Sequence, residues 1–185
     1  IGATKIKSMI IEIVDSPHLP KDLQGDFLIA GYYARNIARL RPSVNGSGHK
    51  LQTLTPILTS THNAFRPVDL NTGPDGALYV ADWFNPIIGH YQASLRHPAR
   101  DKKHGRIWRI TAKSQPLLSP PALAKMNAAQ LCEQLAVPLR RTRQLAKLRL
   151  MDLPKAEAIA ATQQWADSLK PNDPKLEAKL FEAIG

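Results

Sequence analysis

The stretch at 66–83, RPVDLNTGPDGALYVADW, decides the fold of this chain of 185 residues. The tripeptide PDG at 74–76 predicts a tight turn, because proline presets φ, aspartate accepts local backbone hydrogen bonds and glycine tolerates a positive φ. Residues 67–70 before the turn predict a short strand. Residues 77–81 after it, ALYVA, predict a second strand that is apolar enough to be buried on both faces.

A long loop follows the second strand and separates it from the segment GRIWRI at 105–110. Loops of this length are uncommon in a compact domain unless they are functional. Because a rigid sheet that carries a long polar loop is a common way to build a binding site, we expect ligand-binding residues here. The candidates are Arg66, Asp82, Trp83, Asn85, His90, Tyr91, Arg100 and His104.

Upstream of this stretch, four segments rich in apolar and β-branched residues predict strands, at 5–14, 27–31, 37–41 and 51–58. The last of them alternates in a way typical of an edge strand, where Pro56 is tolerated. GDFLIAG begins at residue 25 and PDGALYVAD at residue 74, and this spacing of 49 residues matches a repeat of about 40 to 50 residues. Two partial copies are fewer than a whole β-propeller requires.

Downstream, the composition changes after residue 112. Proline and serine dominate SQPLLSPP at 114–121, which predicts a linker. The remainder predicts four α-helices. Asn127 with Gln130 forms a capping box for the first helix, and Pro138 suits the first position of the second, which would run to about Met151.

Apolar residues at helical spacing give the later helices one inward face each. In the second helix these residues are Leu145, Leu148 and Met151. Pro154 opens the third helix, whose inward residues are Ala158, Ala161, Trp165 and Leu169, and Asp173-Pro174 opens the fourth, with Leu176, Leu180 and Ile184. Two helical hairpins with short connections form the unit of a HEAT-like solenoid, or a small bundle if they stand alone.

The formal net charge is +10, of which +7 lies in residues 1–113 and +3 in residues 114–185. Such an excess favours anionic partners, namely polyanionic glycan, lipid headgroups or nucleic acid, but is also found on merely basic surfaces. Nucleic acid is not favoured, because the basic helix at 140–149 lacks interleaved aromatics and a base-reading motif. No apolar run approaches the roughly 18 residues of a membrane span.

The chain does not begin with methionine and shows no signal peptide, so we expect a fragment or a processed product. Its only cysteine, Cys132, lies in an apolar helical pattern and is expected to be a small buried hydrophobe. A single cysteine excludes an internal disulfide and a multi-cysteine metal site. The chain has no C-x-x-C-H motif, which excludes covalent haem attachment to it.

The segment RPVDLNTGPDGALYVADW, followed by NPIIGH and HGRIWRI, resembles the last β-propeller blade of a family of bacterial membrane-bound dehydrogenases. The resemblance extends upstream to GATKIKSMII, LQGDFLIAGYYARNIARL and FRPVDL. Downstream, PLRRTRQLAKLRL and PNDPKLEAKLFEAI resemble the HEAT-type repeats that follow the propeller in that family. The family is related to the glucose/sorbosone dehydrogenases, which are six-bladed quinoprotein propellers.

The resemblance implies a β + α chain: the C-terminal blades of a β-propeller followed by α-helical HEAT-like hairpins. Residues 1–113 would be a partial propeller of about two blades, residues 114–121 a linker and residues 122–185 the helical repeat segment. The protein would be periplasmic or extracellular. It would be a quinoprotein-type sugar or polyol dehydrogenase, in which this fragment supplies one wall of the substrate or cofactor site. The alternative is a non-catalytic propeller and helical scaffold that binds glycans or protein partners.

The resemblance also implies the cofactors pyrroloquinoline quinone and calcium in the full-length protein, and an electron acceptor such as a cytochrome domain outside this chain. The substrate would be a sugar or polyol, with an anionic glycan as a further partner. The general base of the related enzymes is a histidine in an early blade, outside this chain, so no catalytic residue is assigned.

The candidate residues suit such ligands chemically. Arginines and aromatics near the hairpin would form a cationic and aromatic surface, from Arg66, Arg100, Arg106, Trp83, Tyr91 and His90. A sugar ring stacks on aromatic side chains, and arginine holds the carboxylates of a quinone cofactor bidentately.

Two groups of residues are candidate metal ligands, and each also has a structural interpretation. Asp69 and Asp82, at strand ends, could hold Ca²⁺ together with backbone carbonyls, or could serve as hydrogen-bond acceptors within the fold. His90, His97 and His104 recur every seven residues, but no cysteine assists them, so loop histidines that form hydrogen bonds are favoured over a zinc site.

Overall fold

The structure, a computed structural model, describes residues 8–88, 94 and 96–184. The described chain is mixed β and α, as predicted, and contains seven strands and four α-helices. It divides into two compact units, Ile1–Leu117 and Leu118–Gly185. The strands lie in the first unit and the α-helices in the second.

The first unit is built from two antiparallel sheets in which the strands follow one another in chain order. The four-stranded sheet contains β1 (Ser8–Ile13), β2 (Phe27–Gly31), β3 (Asn36–Asn45) and β4 (Gly48–Thr59). The three-stranded sheet contains β5 (Pro67–Thr72), β6 (Leu78–Asp82) and β7 (Arg106–Ile110). The described strands do not close into a barrel, and β4 lies at a sheet edge as its alternating sequence predicted.

The PDG turn is confirmed and joins β5 to β6. Gly76 has a φ of 81°, and its N–H donates to the carbonyl of Gly73 at 2.9 Å. The Asp75 carboxylate accepts hydrogen bonds from the Ala77 N–H and the Tyr79 hydroxyl, at 3.1 and 3.0 Å. Since Tyr79 and Ala81 are only half-buried, the prediction that β6 is buried on both faces is wrong for one of these faces.

The core of the first unit lies between the sheets, where β1 and β2 pack against β5. Leu28, Ile37, Leu70 and Val80 are fully buried there. Burial of such side chains stabilises the fold by about 1.5 to 3 kcal/mol each.

Three buried hydrogen bonds, made by two side chains, join the sheets through this core. The Glu12 carboxylate on β1 accepts from the backbone N–H of Thr72 at 3.0 Å and from its hydroxyl at 2.7 Å. The Ser16 hydroxyl donates to the Gly76 carbonyl at 2.7 Å. Buried polar groups are tolerated only when they are paired in this way, so these contacts fix how the sheets are stacked.

A buried carboxylate, Asp26, holds two arginines of β3. Its oxygens lie 2.5 Å from Arg39 Nε and 2.8 Å from Arg41 Nε. Burial alone would raise the pKa of Asp26, but the hydrogen bonds from Arg41 and Arg39 outweigh it and hold that pKa below its ordinary value.

The buried ring of His18 fastens the segment after β7. Its Nδ1 lies 2.9 Å from the carbonyl of Pro116, and its Nε2 accepts the N–H of Ala112 at 3.0 Å. Since a peptide N–H can only donate, the ring proton is on Nδ1. The start of the proline-rich segment is therefore tied to the first unit.

The outer face of the four-stranded sheet is apolar. Met9, Ile11 and Ile13 alternate along β1 and are 49%, 53% and 37% exposed. On the same face, Ile11 lies opposite Ile29 and Ile13 lies opposite Phe27 in β2.

The second unit contains α1 (Ala128–Glu133), α2 (Arg140–Met151), α3 (Lys155–Asp167) and α4 (Leu176–Ile184). The predicted capping box of α1 is confirmed, because Asn127 and Gln130 each bond the other's backbone N–H. Cys132 and Leu131 are buried in the core, together with Trp165 of α3. Burial raises the pKa of the Cys132 thiol, as expected for a buried hydrophobe.

The prediction for α2 is wrong in two respects. The helix begins at Arg140, beyond Pro138, and its buried residues are Thr142, Ala146 and Leu150. Leu148 and Met151, predicted to point inward, are 50% and 76% exposed. Leucines lie on more than one face of α2, so their spacing alone could not identify the buried face.

Among the described residues, no helix is both long enough and apolar enough to cross a membrane.

We expect Gly76→Ala to lower the free energy of unfolding by about 1 to 3 kcal/mol, because alanine is strained at a positive φ. Gly48→Ala is the matched control, since a Cβ there would lie 3.9 Å from its nearest neighbour, the Asn45 carbonyl oxygen. Urea denaturation of both variants measures the difference. Equal stability of the two variants would contradict the strained turn.

Candidate functional site

Three connections meet at one end of the first unit: the turn at 32–35, the loop at 60–66 and the loop after β6. The strand register places their bases side by side, because Gly31 pairs with Asn36 and Asp82 pairs with both Pro67 and Arg106. The N–H of Ser60 donates to the Arg35 carbonyl at 2.9 Å, which joins the first two connections.

Asp82 organises this end of the unit. Its carboxylate is 3% exposed and accepts hydrogen bonds from three segments of the chain. Oδ1 accepts the backbone N–H of Arg66 at 2.8 Å and that of Phe84 at 2.9 Å. Oδ2 accepts the indole N–H of Trp108 at 3.1 Å. Asp82 therefore fixes the start of β5, the loop after β6 and the start of β7 to one another.

These contacts bear on the calcium prediction. Asp82 directs both carboxylate oxygens at N–H donors, which a cation would have to displace. Asp69 is similar, since it accepts from the Leu70 N–H at 2.9 Å and from the Asn71 amide at 3.1 Å. Nor do the described residues contain a group of three metal-ligating side chains. Asp69 and Asp82 therefore serve as hydrogen-bond acceptors within the fold, and calcium binding by them stays a prediction.

Arg66 and two aromatic rings form a cluster beside Asp82. The guanidinium carbon of Arg66 lies 6.0 Å from the centroid of the Tyr32 ring. The Tyr32 ring stacks on Trp83 with centroids 6.0 Å apart and an interplanar angle of 17°. Tyr33 meets Tyr32 edge-on at 5.2 Å. We call Arg66, Tyr32 and Trp83 the Arg66 cluster.

The guanidinium of Arg66 is buried and has no carboxylate hydrogen-bonded to it among the described residues. The residue is 5% exposed, and its Nη1 donates to the Phe65 carbonyl at 2.9 Å. Its Nε finds no hydrogen-bond acceptor among the described residues. Burial lowers the pKa of Arg66 and raises that of Tyr32. A buried donor without an acceptor is costly, so this atom is a candidate ligand contact.

A second cationic group lies on the other side of Asp82. The Arg106 guanidinium carbon is 3.5 Å from the centroid of the Phe84 ring and 5.7 Å from that of Trp108. His62 stacks on Phe84 at 5.4 Å. Phe84 has a φ of 51°, a left-handed conformation that costs about 1 to 3 kcal/mol in a non-glycine residue. Arg106 is exposed and stacks on Phe84, and none of its described ring contacts is with the Arg66 cluster.

The long loop is held by its own polar side chains. Asn85, which is buried, donates to the Asp101 carbonyl at 3.2 Å and accepts the Ile87 N–H at 3.1 Å. Arg100 Nε donates to the Ser94 carbonyl at 2.9 Å. The Asp101 carboxylate accepts the backbone N–H groups of Lys103 and His104.

Asp101 also forms a hydrogen bond with the ring of His104. The His104 ring nitrogen Nδ1 lies 2.8 Å from Asp101 Oδ2. The Lys103 backbone hydrogen bond, followed by that of the His104 side chain, holds the pKa of Asp101 below its ordinary value. His97 Nδ1 instead accepts the Ala99 N–H at 3.1 Å. Both described loop histidines therefore form local hydrogen bonds.

The structure brings some of the predicted site residues together and separates others. Arg66, Asp82 and Trp83 lie at one place, and the positive charge of Arg100 is close enough to act on Tyr32. Asn85 and His104 belong to the internal bonding of the loop. His90 and Tyr91 lie outside the described residues. Sequence reasoning missed Tyr32, although a tyrosine pair in the turn between two predicted strands was a visible signal.

Residues 8–114 match a family described as a domain of unknown function, DUF7133. The match covers more than half of the chain, and the chain belongs to this family. No curated protein and no solved structure matches the chain.

We expect Asp82→Asn to lower the free energy of unfolding by about 1 to 3 kcal/mol. The amide oxygen could still accept from the Arg66 and Phe84 N–H groups, but the amide nitrogen would face the Trp108 indole N–H, and both are donors. Urea denaturation gives the loss, and Asp69→Asn on the same sheet serves as the control.

The pairing with Trp108 is tested by a double substitution. Trp108→Phe removes the opposing donor. It should therefore lower the free energy of unfolding by less in the Asp82→Asn background than in the wild type. Additive effects of the two substitutions would show that the indole bond does not support Asp82.

Proposed function

We propose that the first unit supplies one wall of a ligand site in a quinoprotein-type sugar or polyol dehydrogenase. The observation that carries this proposal is the Arg66 cluster, in which a buried guanidinium, whose Nε has no acceptor among the described residues, lies beside two stacked aromatic rings. A carboxylate or hydroxyl oxygen of a ligand would complete the hydrogen bonding of Arg66. A flat or sugar ring would stack on Trp83, which is 43% exposed.

Pyrroloquinoline quinone fits this chemistry, since it combines a planar ring system with carboxylates. Arg66 would hold a carboxylate, and Trp83 with Tyr32 would support the ring edge. Bound there, the quinone would supply the oxidising chemistry for a sugar or polyol hydroxyl. The residues of this chain would bind and orient the ligand, and electrons would leave through an acceptor outside the chain, such as a cytochrome domain. The protein would act in the periplasm or outside the cell.

We also propose that the two sheets are the last blades of a β-propeller and that the second unit is the start of HEAT-like repeats. Three features of the first unit support the propeller. The sheets are antiparallel meanders, they stack face to face near their first strands, and the outer face of β1 is apolar and exposed. In a propeller, a preceding blade would cover that outer face. In the second unit, short helices joined by short connections support the proposal of HEAT-like repeats.

The propeller proposal predicts that Ile11→Ser has different effects in two proteins. In the 185-residue chain, where Ile11 is 53% exposed, the change should alter stability by less than about 0.5 kcal/mol. In a longer protein that includes the preceding blade, it should cost about 1.5 to 3 kcal/mol through lost burial. Val44→Ser, at a position 81% exposed, should be neutral in both. A neutral Ile11→Ser in the longer protein would contradict the stacked blade.

For the ligand site, we expect Arg66→Lys in the full-length protein to weaken pyrroloquinoline quinone binding about 10- to 150-fold. Lysine keeps the charge but loses the planar fork, and a charge-assisted hydrogen bond contributes about 1.5 to 3 kcal/mol. Trp83→Ala should also weaken binding, and its exposure makes unfolding of that variant unexpected. Quenching of tryptophan fluorescence on titration gives the affinities.

Arg109→Lys is the matched control, because Arg109 pairs with Asp75 away from the cluster. Thermal melts show whether each variant is folded. Unchanged affinity in folded Arg66→Lys and Trp83→Ala variants would exclude this site. Binding of glycans or proteins by a full-length protein that neither binds the quinone nor oxidises sugars would favour the non-catalytic scaffold.

A further inference from the structure

A second, separate groove lies along the long loop. Its volume is about 690 Å³, which is in the range of small-molecule sites. Residues 96–104 form one wall, and His62 and Phe84 contribute to the other. None of the three residues of the Arg66 cluster lines this groove.

The groove is strongly basic. Among its described lining residues, the cationic side chains are those of Arg96, Arg100, Lys102 and Lys103, and the one carboxylate is that of Asp101. That carboxylate is already engaged by the backbone and ring of His104 and by the backbone of Lys103. The local field therefore favours an anion.

The cations are presented from a loop that is internally bonded. The Asn85 side chain donates to the Asp101 carbonyl. The Asp101 carboxylate accepts the backbone N–H groups of Lys103 and His104. Arg100 bonds the carbonyls of Ser94 and Ile87. These bonds reduce the ordering cost of binding, because the backbone that carries the lysines is held before a ligand arrives.

Among the described lining residues of the groove, the Phe84 ring is not an open stacking surface. One face of the Phe84 ring is covered by Arg106 at 3.5 Å, and His62 stacks on the ring at 5.4 Å. Single-stranded nucleic acid is held largely by base stacking on open aromatic rings, so the groove does not suit it. Exposed lysines act as point charges that suit compact oxyanions.

We infer that this groove binds a sulfate or phosphate ester group carried by a small ligand. The exposed Lys102 and Lys103 provide the mobile charges, and Arg96 with the imidazoles of His97 and His104 completes the basic wall. This inference does not depend on the dehydrogenase proposal, because it uses a different set of residues.

The test uses isothermal titration of the full-length protein with four probes: inorganic sulfate, inorganic phosphate, glucose 6-sulfate and glucose 6-phosphate. Glucose is the uncharged control and should not bind in this groove. Tighter binding of an ester than of its inorganic ion would show that the groove recognises the carrier as well, whereas equal binding would show that it recognises the oxyanion alone. Both results support an oxyanion site, and absence of binding by all four charged probes would overturn it.

The residues are tested by replacing Lys102 and Lys103 together with alanine. Because both side chains are exposed, the variant should stay folded, and binding should weaken about 10- to 100-fold. Lys50→Ala with Lys113→Ala removes the same charge from exposed positions outside the groove and should leave the affinity unchanged.

If both double variants lose the same affinity for the charged probes, only the net charge of the protein matters. That result would overturn the site. Binding of a single-stranded oligonucleotide through Lys102 and Lys103, tighter than that of either ester, would also overturn the assignment. Loss of ester binding with intact quinone binding would separate this groove from the Arg66 cluster.

Discussion

The candidate site of this protein depends on the buried carboxylate of Asp82. A buried charge is tolerated only when its oxygens are fully engaged, and here three N–H groups from three separate segments do this. One of them is the backbone N–H of Arg66, and the carbonyl of Arg66 in turn accepts the N–H of Trp83 at 2.9 Å. The carboxylate thus fixes the backbone from which Arg66 and Trp83, the proposed binding residues, project.

Three arginines of the first unit pair with carboxylates, and Arg66 differs from them. Arg39 and Arg41 share the carboxylate of Asp26, and Arg109 pairs with Asp75. Arg66 is more deeply buried than these but has a carbonyl and an aromatic ring as its neighbours, and its Nε has no acceptor among the described residues. Such an arrangement is costly for stability alone, and we propose that an acceptor arriving with a ligand offsets the cost.

Much of the local structure could be predicted from the sequence. The turn at 74–76 and the capping box at Asn127 were predictable because each depends on residues only a few positions apart. The placement of Arg66 near Trp83 followed from the hairpin between them. The buried face of α2 was not predictable, because apolar residues occur on several of its faces and only packing selects one.

The sequence by itself determined the order of strands and helices, the turns between them and the basic character of the long loop, since these depend on local conformational preference and composition. Only the tertiary structure decided that Tyr32 stacks on Trp83 and that His18 holds Ala112 and Pro116. It also decided that Asp82 is an internal acceptor. Those contacts join residues far apart in the chain, and their geometry is set by how the two sheets stack, which no local pattern encodes.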